Sequence, residues 1–230
     1  MEITYQVPLF IASWFIQMGV HEGAHAYAAD HFGDDTARLL GKRSFNPLNH
    51  IEWNNMNSIL WSIGLPVFTS ISGFVPMGMA WVPVNPLRLR NRSRSMALIA
   101  FAGPLSNLLL VALCLILHVV LSVLPQTNMS IPNASFGLGS AVWLFDEQLR
   151  ALCLTSALYG FFNLVPLPPL DGSSVLRHFL PQSGKDLMDQ VAPYGMMILM
   201  VLFWFGNAGI IIDVPLAIVM GAWDLIGQLL

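Results

Sequence analysis

Charge is scarce in this chain. Asp, Glu, Lys and Arg make up 10% of its 230 residues, against about 25% in soluble globular domains. Cysteine is scarcer still, at 2 residues. Cys114 and Cys153 lie in apolar stretches without a CxxC spacing, which excludes a disulfide framework and marks both as core or lipid-facing. No basic patch interleaved with aromatics is present, so nucleic acid is not an expected partner. There is no internal repeat, no low-complexity tract and no loop long enough for a separate soluble domain, so residues 1–230 read as one domain. Residues 1–6 carry no positive charge and no small-residue cleavage site follows. The first apolar segment is therefore expected to stay as a helix rather than be removed as a signal peptide. What fills the chain instead is apolar: 55% of the residues are hydrophobic. That composition predicts an integral membrane protein with the lipid bilayer as its surroundings.

A helix needs about 20 apolar residues to cross the hydrocarbon core. Five segments qualify, at 6–29, 95–123, 139–164, 190–206 and 208–228, the last two joined by a turn at Gly206-Asn207-Ala208-Gly209. A sixth apolar stretch, 58–80, is punctuated by Gly64, Pro66, Gly73, Pro76 and Gly78. Such punctuation predicts a re-entrant loop or short strands rather than a straight span. The expected fold class is an all-α polytopic membrane protein with about five transmembrane helices and a re-entrant or short β-containing loop at 58–80. If that loop dips in and returns, residues 30–94 and 165–189 share one side. They then hold Arg38, Lys42, Arg43, Arg88, Arg90, Arg92, Arg94, Arg177 and Lys185, while 124–138 holds no Lys or Arg. The positive-inside rule makes that side cytoplasmic.

Residues 21–25 read His21-Glu22-Gly23-Ala24-His25 at the end of the first apolar run. On a helix, positions i and i+4 share a face, so both imidazoles can reach one metal ion, and Glu22 can serve as general base toward water. Ionisable groups inside membrane helices are rare unless they act. A catalytic zinc usually takes three protein ligands and keeps an open position, so a third ligand is needed. Asp30, His31, Asp34 and Asp35 read as a solvated helix end and turn. His50 and Glu52 fall in a polar loop, His118 reads as a packed or interfacial residue, and His178 as a loop residue. Asp146 and Arg150, at i,i+4 spacing, are expected to pair with each other. Asp171 is the strongest candidate. It follows Pro166, Pro168 and Pro169, which forbid a regular helix, and Gly172 gives the chain freedom to turn after the carboxylate. In the re-entrant topology Asp171 and the His21–His25 pair lie on the same side.

The chain resembles the site-2 protease family of intramembrane zinc metalloproteases, in its short form without a PDZ domain. The resemblance rests on His21–His25, Asn46-Pro47-Leu48 with His50 nearby, Pro83-Val84-Asn85-Pro86, Ala102-Gly103-Pro104-Leu105-Ser106-Asn107 and the stretch 163–172. It departs from the family at Trp81-Val82, where an Ala-Lys-like pair is expected. The resemblance implies zinc held by His21, His25 and Asp171, Glu22 as the base, and Asn163 holding the substrate or stabilising the oxyanion. It also implies a transmembrane protein as substrate, and a multi-pass cell-membrane location with the active site near the cytoplasmic face. Gly103 and Asn107 have two readings, close helix packing or direct support of the active site. Two other functions are the alternatives: a membrane metal-ion transporter, which would need further ligands on a facing helix, and an inactive scaffold that binds membrane proteins without cutting them.

Overall fold

The computed structural model describes residues 3–123, 138–205 and 208–229. The expected turn at Gly206 and Asn207 and the 124–137 connection lie outside them. Among the described residues eight helices carry the fold: α1 Ile3–His31, α2 Met56–Ile71, α3 Arg92–Val123, α4 Leu138–Asn163, α5 Asp171–Phe179, α6 Gln182–Val191, α7 Gly195–Phe205 and α8 Ala208–Leu229. Short helical turns at Thr36–Leu39 and Pro47–His50 lie between α1 and α2. Among the described residues α3 is long and apolar enough to cross a membrane.

The long apolar runs are helical, the form in which a single segment satisfies its own backbone N–H and C=O groups. α1, α3 and α4 pack on one another as the central bundle, with α5 on α3 and α8 on α4. Val111 and Cys114 of α3, Leu149, Leu152, Cys153 and Ala157 of α4, and Trp223 of α8 form its largest buried apolar cluster. Both cysteines are therefore packed core residues.

The 58–80 stretch folds differently from the short strands entertained above. Residues 56–71 are helical, with a π-helical turn at Leu60–Gly64, and 74–85 return without regular structure. No strand occurs among the described residues. A strand needs a neighbouring edge, and the returning backbone finds other partners. Met77 N–H donates to Thr69 Oγ1 (3.0 Å), Gly78 N–H to Tyr159 Oη (2.8 Å) and Met79 N–H to the Trp61 carbonyl (3.1 Å). Pro66 explains the helix's attachment to α1. It has no N–H to offer the Ser62 carbonyl, which accepts Trp14 Nε1–H at 2.9 Å instead.

Ionic partners also differ from the expected ones. Asp146 lies 2.7 Å from His118 Nδ1, and Arg150 pairs with Asp224 at 3.4 Å. The i,i+4 pair within α4 gives way because His118 is buried between α3 and α8, stacked on Trp223, and a buried imidazole gains more from an acceptor than an exposed guanidinium does. His178 is helical rather than a loop residue, with Nδ1 2.9 Å from Ser93 Oγ at the start of α3. Asp34 is not solvated: it is fully buried. Its carboxylate accepts from Thr36 N–H (3.1 Å), from Thr36 Oγ1 and from Asn85 N–H. It thus ties the end of α1 to the Pro83–Pro86 turn. Around it Arg38 and Arg43 pair with Asp30, and Arg88 with Asp35. The Lys42 ammonium, 2.9 Å from Glu52, holds that carboxyl below its usual range.

Because Asp34 serves three donors that would otherwise be stranded, Asp34→Ala is expected to cost about 2 kcal/mol. A thermal midpoint in detergent lowered by about 4–8 °C would register it; an unchanged midpoint would contradict the bridging role.

Candidate metal centre

His21 and His25 sit on the last turns of α1, one turn apart, with Glu22 between them in sequence; all three are buried, at 7%, 8% and 7% exposure. Asp171 is the first residue of α5. The Nε2 atoms of His21 and His25 are 3.1 Å apart, and Asp171 Oδ2 lies 3.2 Å from the first and 3.4 Å from the second. Residues about 150 apart in sequence therefore bring three donor atoms to one point. The structure brings together the three residues that the sequence offers as metal ligands.

The donor set fits a zinc ion. Bonds of about 2.0–2.1 Å in a tetrahedron put donors about 3.3 Å apart, close to the three separations above. The proton inventory points the same way. His25 Nδ1 faces the Ile99 carbonyl at 2.7 Å. A carbonyl only accepts, so Nδ1 carries a proton and Nε2 is the ring nitrogen left to face a metal. There it meets an imidazole nitrogen and a carboxylate oxygen, a contact that a shared proton or a metal cation would hold together. Asp171 keeps 22% of its side chain exposed, so the trio is open to water on the carboxylate side.

Three features of the chain build this geometry. Pro104 lies inside α3, where it breaks the hydrogen-bond ladder and loosens the preceding turn; the Ile99 carbonyl in that turn is the one that holds His25. Gly103 faces the imidazoles. A Cβ there would overlap His25 Nε2 and lie 2.7 Å from His21 Cε1. Close helix packing and support of the site, weighed separately above, are here one property. Gly172 is required for a different reason than expected. It lies within α5 and makes no special turn; instead a Cβ would overlap the Leu164 carbonyl and stand 2.6 Å from Val165 O. Its bare backbone lets the chain after α4 press against the start of α5 and seat Asp171.

Asn163 is the last residue of α4 and half-buried, and no described hydrogen bond joins it to the trio. His50 is buried rather than in an open loop, its Nε2 2.8 Å from the Ser44 carbonyl. Asn107, which the sequence offers with Gly103 as either packing or support of the site, is fully buried, with its amide 3.1 Å from His21 Nδ1 and 3.2 Å from Gln17 Oε1.

Gly103→Ala is expected to push the imidazoles apart and weaken zinc binding by about 10- to 100-fold, read by competition with a chromophoric chelator. Wild-type affinity in that variant would show that the glycine is mere packing.

The model of Peptidase family M50 matches residues 9–206. YwhC of Bacillus subtilis, whose name describes a zinc metalloprotease, is 28% identical over 200 residues, covering 86% of this chain and 80% of YwhC. Two proteins named Rip2, also described by name as zinc metalloproteases, come from Mycolicibacterium smegmatis and Mycobacterium tuberculosis. They are 29% and 28% identical over 196 residues, which is 84% and 85% of this chain and 66% of each relative. No solved structure matches. With that family model running from the first helix to α7 and taking in both halves of the trio, the chain belongs to peptidase family M50, the site-2 protease family.

Proposed function

We propose that the chain is an intramembrane zinc metalloprotease that hydrolyses a peptide bond in or near a transmembrane segment of a membrane protein. Family membership carries the activity class. The observation that supports the site assignment is the convergence of His21, His25 and Asp171 within 3.1–3.4 Å of one another. These three would hold the zinc. When bound, zinc polarises the scissile carbonyl and makes a water acidic enough to attack near neutral pH. Glu22, adjacent to a proposed ligand and buried, takes the proton of the attacking water. It returns that proton to the nitrogen released as the C–N bond breaks. Asn163 donates to the oxygen on which negative charge develops.

The proposed topology has about five spans, α1, α3, α4, the 190–206 segment that contains α7, and α8, with α2 and its return dipping into the bilayer from the cytoplasmic side. The arginines at 88, 90, 92 and 94 and the α5–α6 segment then face the cytosol, and so does the end of α1 that bears the site. Burial of His21, Glu22 and His25 among helices keeps bulk water away, and the 22% exposure of Asp171 leaves the access route on the cytoplasmic side. A helical substrate hides its carbonyls in hydrogen bonds, so it must unwind locally before attack. Transport is the weaker reading, since His21, His25 and Asp171 are the one metal-capable cluster among the described residues and a path needs successive sites.

Glu22→Gln is expected to keep zinc while cleavage of a model transmembrane peptide falls by about 10²–10⁴-fold. Asp171→Ala is expected to lose both metal and activity. Zinc content by mass spectrometry and peptide cleavage in detergent or nanodiscs read the two effects; full activity in Glu22→Gln would refute the assignment. A strong chelator should abolish cleavage by the wild type, and added zinc should restore it.

A further inference from the structure

Residues 99, 103 and 107 of α3 lie at successive i+4 positions and face α1 as one stripe. Ile99 offers a carbonyl to His25, Gly103 leaves room for both rings, and Asn107 meets His21. His25 is held in a definite tautomer by Ile99. The question is what fixes the tautomer of His21.

The Asn107 amide atom nearest His21 Nδ1, at 3.1 Å, is assigned as nitrogen, and the same atom lies 3.2 Å from Gln17 Oε1. Its Oδ1 is buried without a partner. In that orientation the amide donates to His21 Nδ1, which puts the ring proton on Nε2. That proton would then occupy the point where His25 and Asp171 converge, and Nε2 could not bind a metal. Amide oxygen and nitrogen are assigned from the surrounding hydrogen bonds, not distinguished by shape. Turning the Asn107 and Gln17 amides over moves no atom position and reverses the roles. Asn107 Oδ1 then accepts from His21 Nδ1–H and from Gln17 Nε2–H. Either orientation leaves one Asn107 atom unpartnered, so the choice is made at His21.

We infer that Asn107, itself held by Gln17, is a positioning residue that accepts the Nδ1 proton of His21 and so frees Nε2 for zinc. The inference rests on the reading of His21 as a zinc ligand. Metal-binding histidines take an acceptor on the other ring nitrogen as a rule, and here α3 supplies both acceptors, eight residues apart, on either side of the Gly103 gap. The charge-free choice is chemically distinct from a carboxylate partner: an amide orients the ring without adding a buried negative charge.

The test is zinc affinity of the metal-stripped full chain in detergent, measured by chelator competition, with no activity readout needed. Asn107→Leu keeps the branched shape and removes the acceptor; zinc should bind about 10- to 100-fold more weakly. Asn107→Asp keeps an acceptor and removes the donor; zinc should bind within about threefold of wild type. Wild-type affinity in Asn107→Leu overturns the inference. So does Asn107→Asp if it loses zinc as fully as the leucine variant, because that identifies the amide as a donor. Should Asn107→Leu fail to fold, Asn107→Asp decides alone in the same two directions. A wild type that binds no zinc would remove the zinc reading itself, a result distinct from wild-type binding with an indifferent position 107.

Discussion

Three electron-rich atoms, two imidazole nitrogens and a carboxylate oxygen, face one another at 3.1–3.4 Å inside a largely apolar molecule. Lone pairs in that arrangement repel, and low dielectric strengthens the repulsion. A positive charge placed among them turns the same geometry into a favourable one. The structure around the trio serves that arrangement. α1 sets the two histidines one turn apart, α3 gives them a carbonyl and a gap, and Gly172 lets the segment after α4 press close enough to seat Asp171.

The rest of the molecule solves a related problem, the housing of polar groups where water is scarce. It does so through proline. Pro66 frees the Ser62 carbonyl for Trp14, and Pro104 interrupts α3 beside the carbonyl that holds His25. Each proline removes a hydrogen bond from its own helix, and a side chain of α1 binds a carbonyl at or next to the break. The return after α2 follows the same pattern, its N–H groups met by Thr69, Tyr159 and a helix carbonyl rather than by a strand. Non-helical backbone is tolerated there because protein groups satisfy it.

Away from the trio, the polar residues divide by the company they keep. Asp30, Asp34 and Asp35, with Arg38, Arg43 and Arg88, form a cap that fastens the end of α1 to the loops preceding α3. His118, Asp146 and Trp223 join α3, α4 and α8 in a separate cluster. Among the described residues, neither brings three metal-capable groups within reach of one ion. The chemistry of the proposed protease is thus concentrated at one place, and the other ionisable groups hold helices together.

The sequence by itself determined the all-helical class, the bounds of the long helices to within a few residues, and the identity of the three residues that converge. Those follow from local causes: long apolar runs, i,i+4 spacing on one helix, and prolines that leave Asp171 outside a regular span. Tertiary structure alone decided which partners the polar groups take. Asp146 turns from Arg150 to His118, Asp34 is buried rather than solvated, and 58–80 becomes a helix with an extended return. It also decided that Gly172 is needed for close approach, not for turning, and that Asn107 stands behind His21. Such choices depend on which helices face each other and at what distance, and a one-dimensional pattern carries periodicity but not the competition among neighbours that only packing brings together.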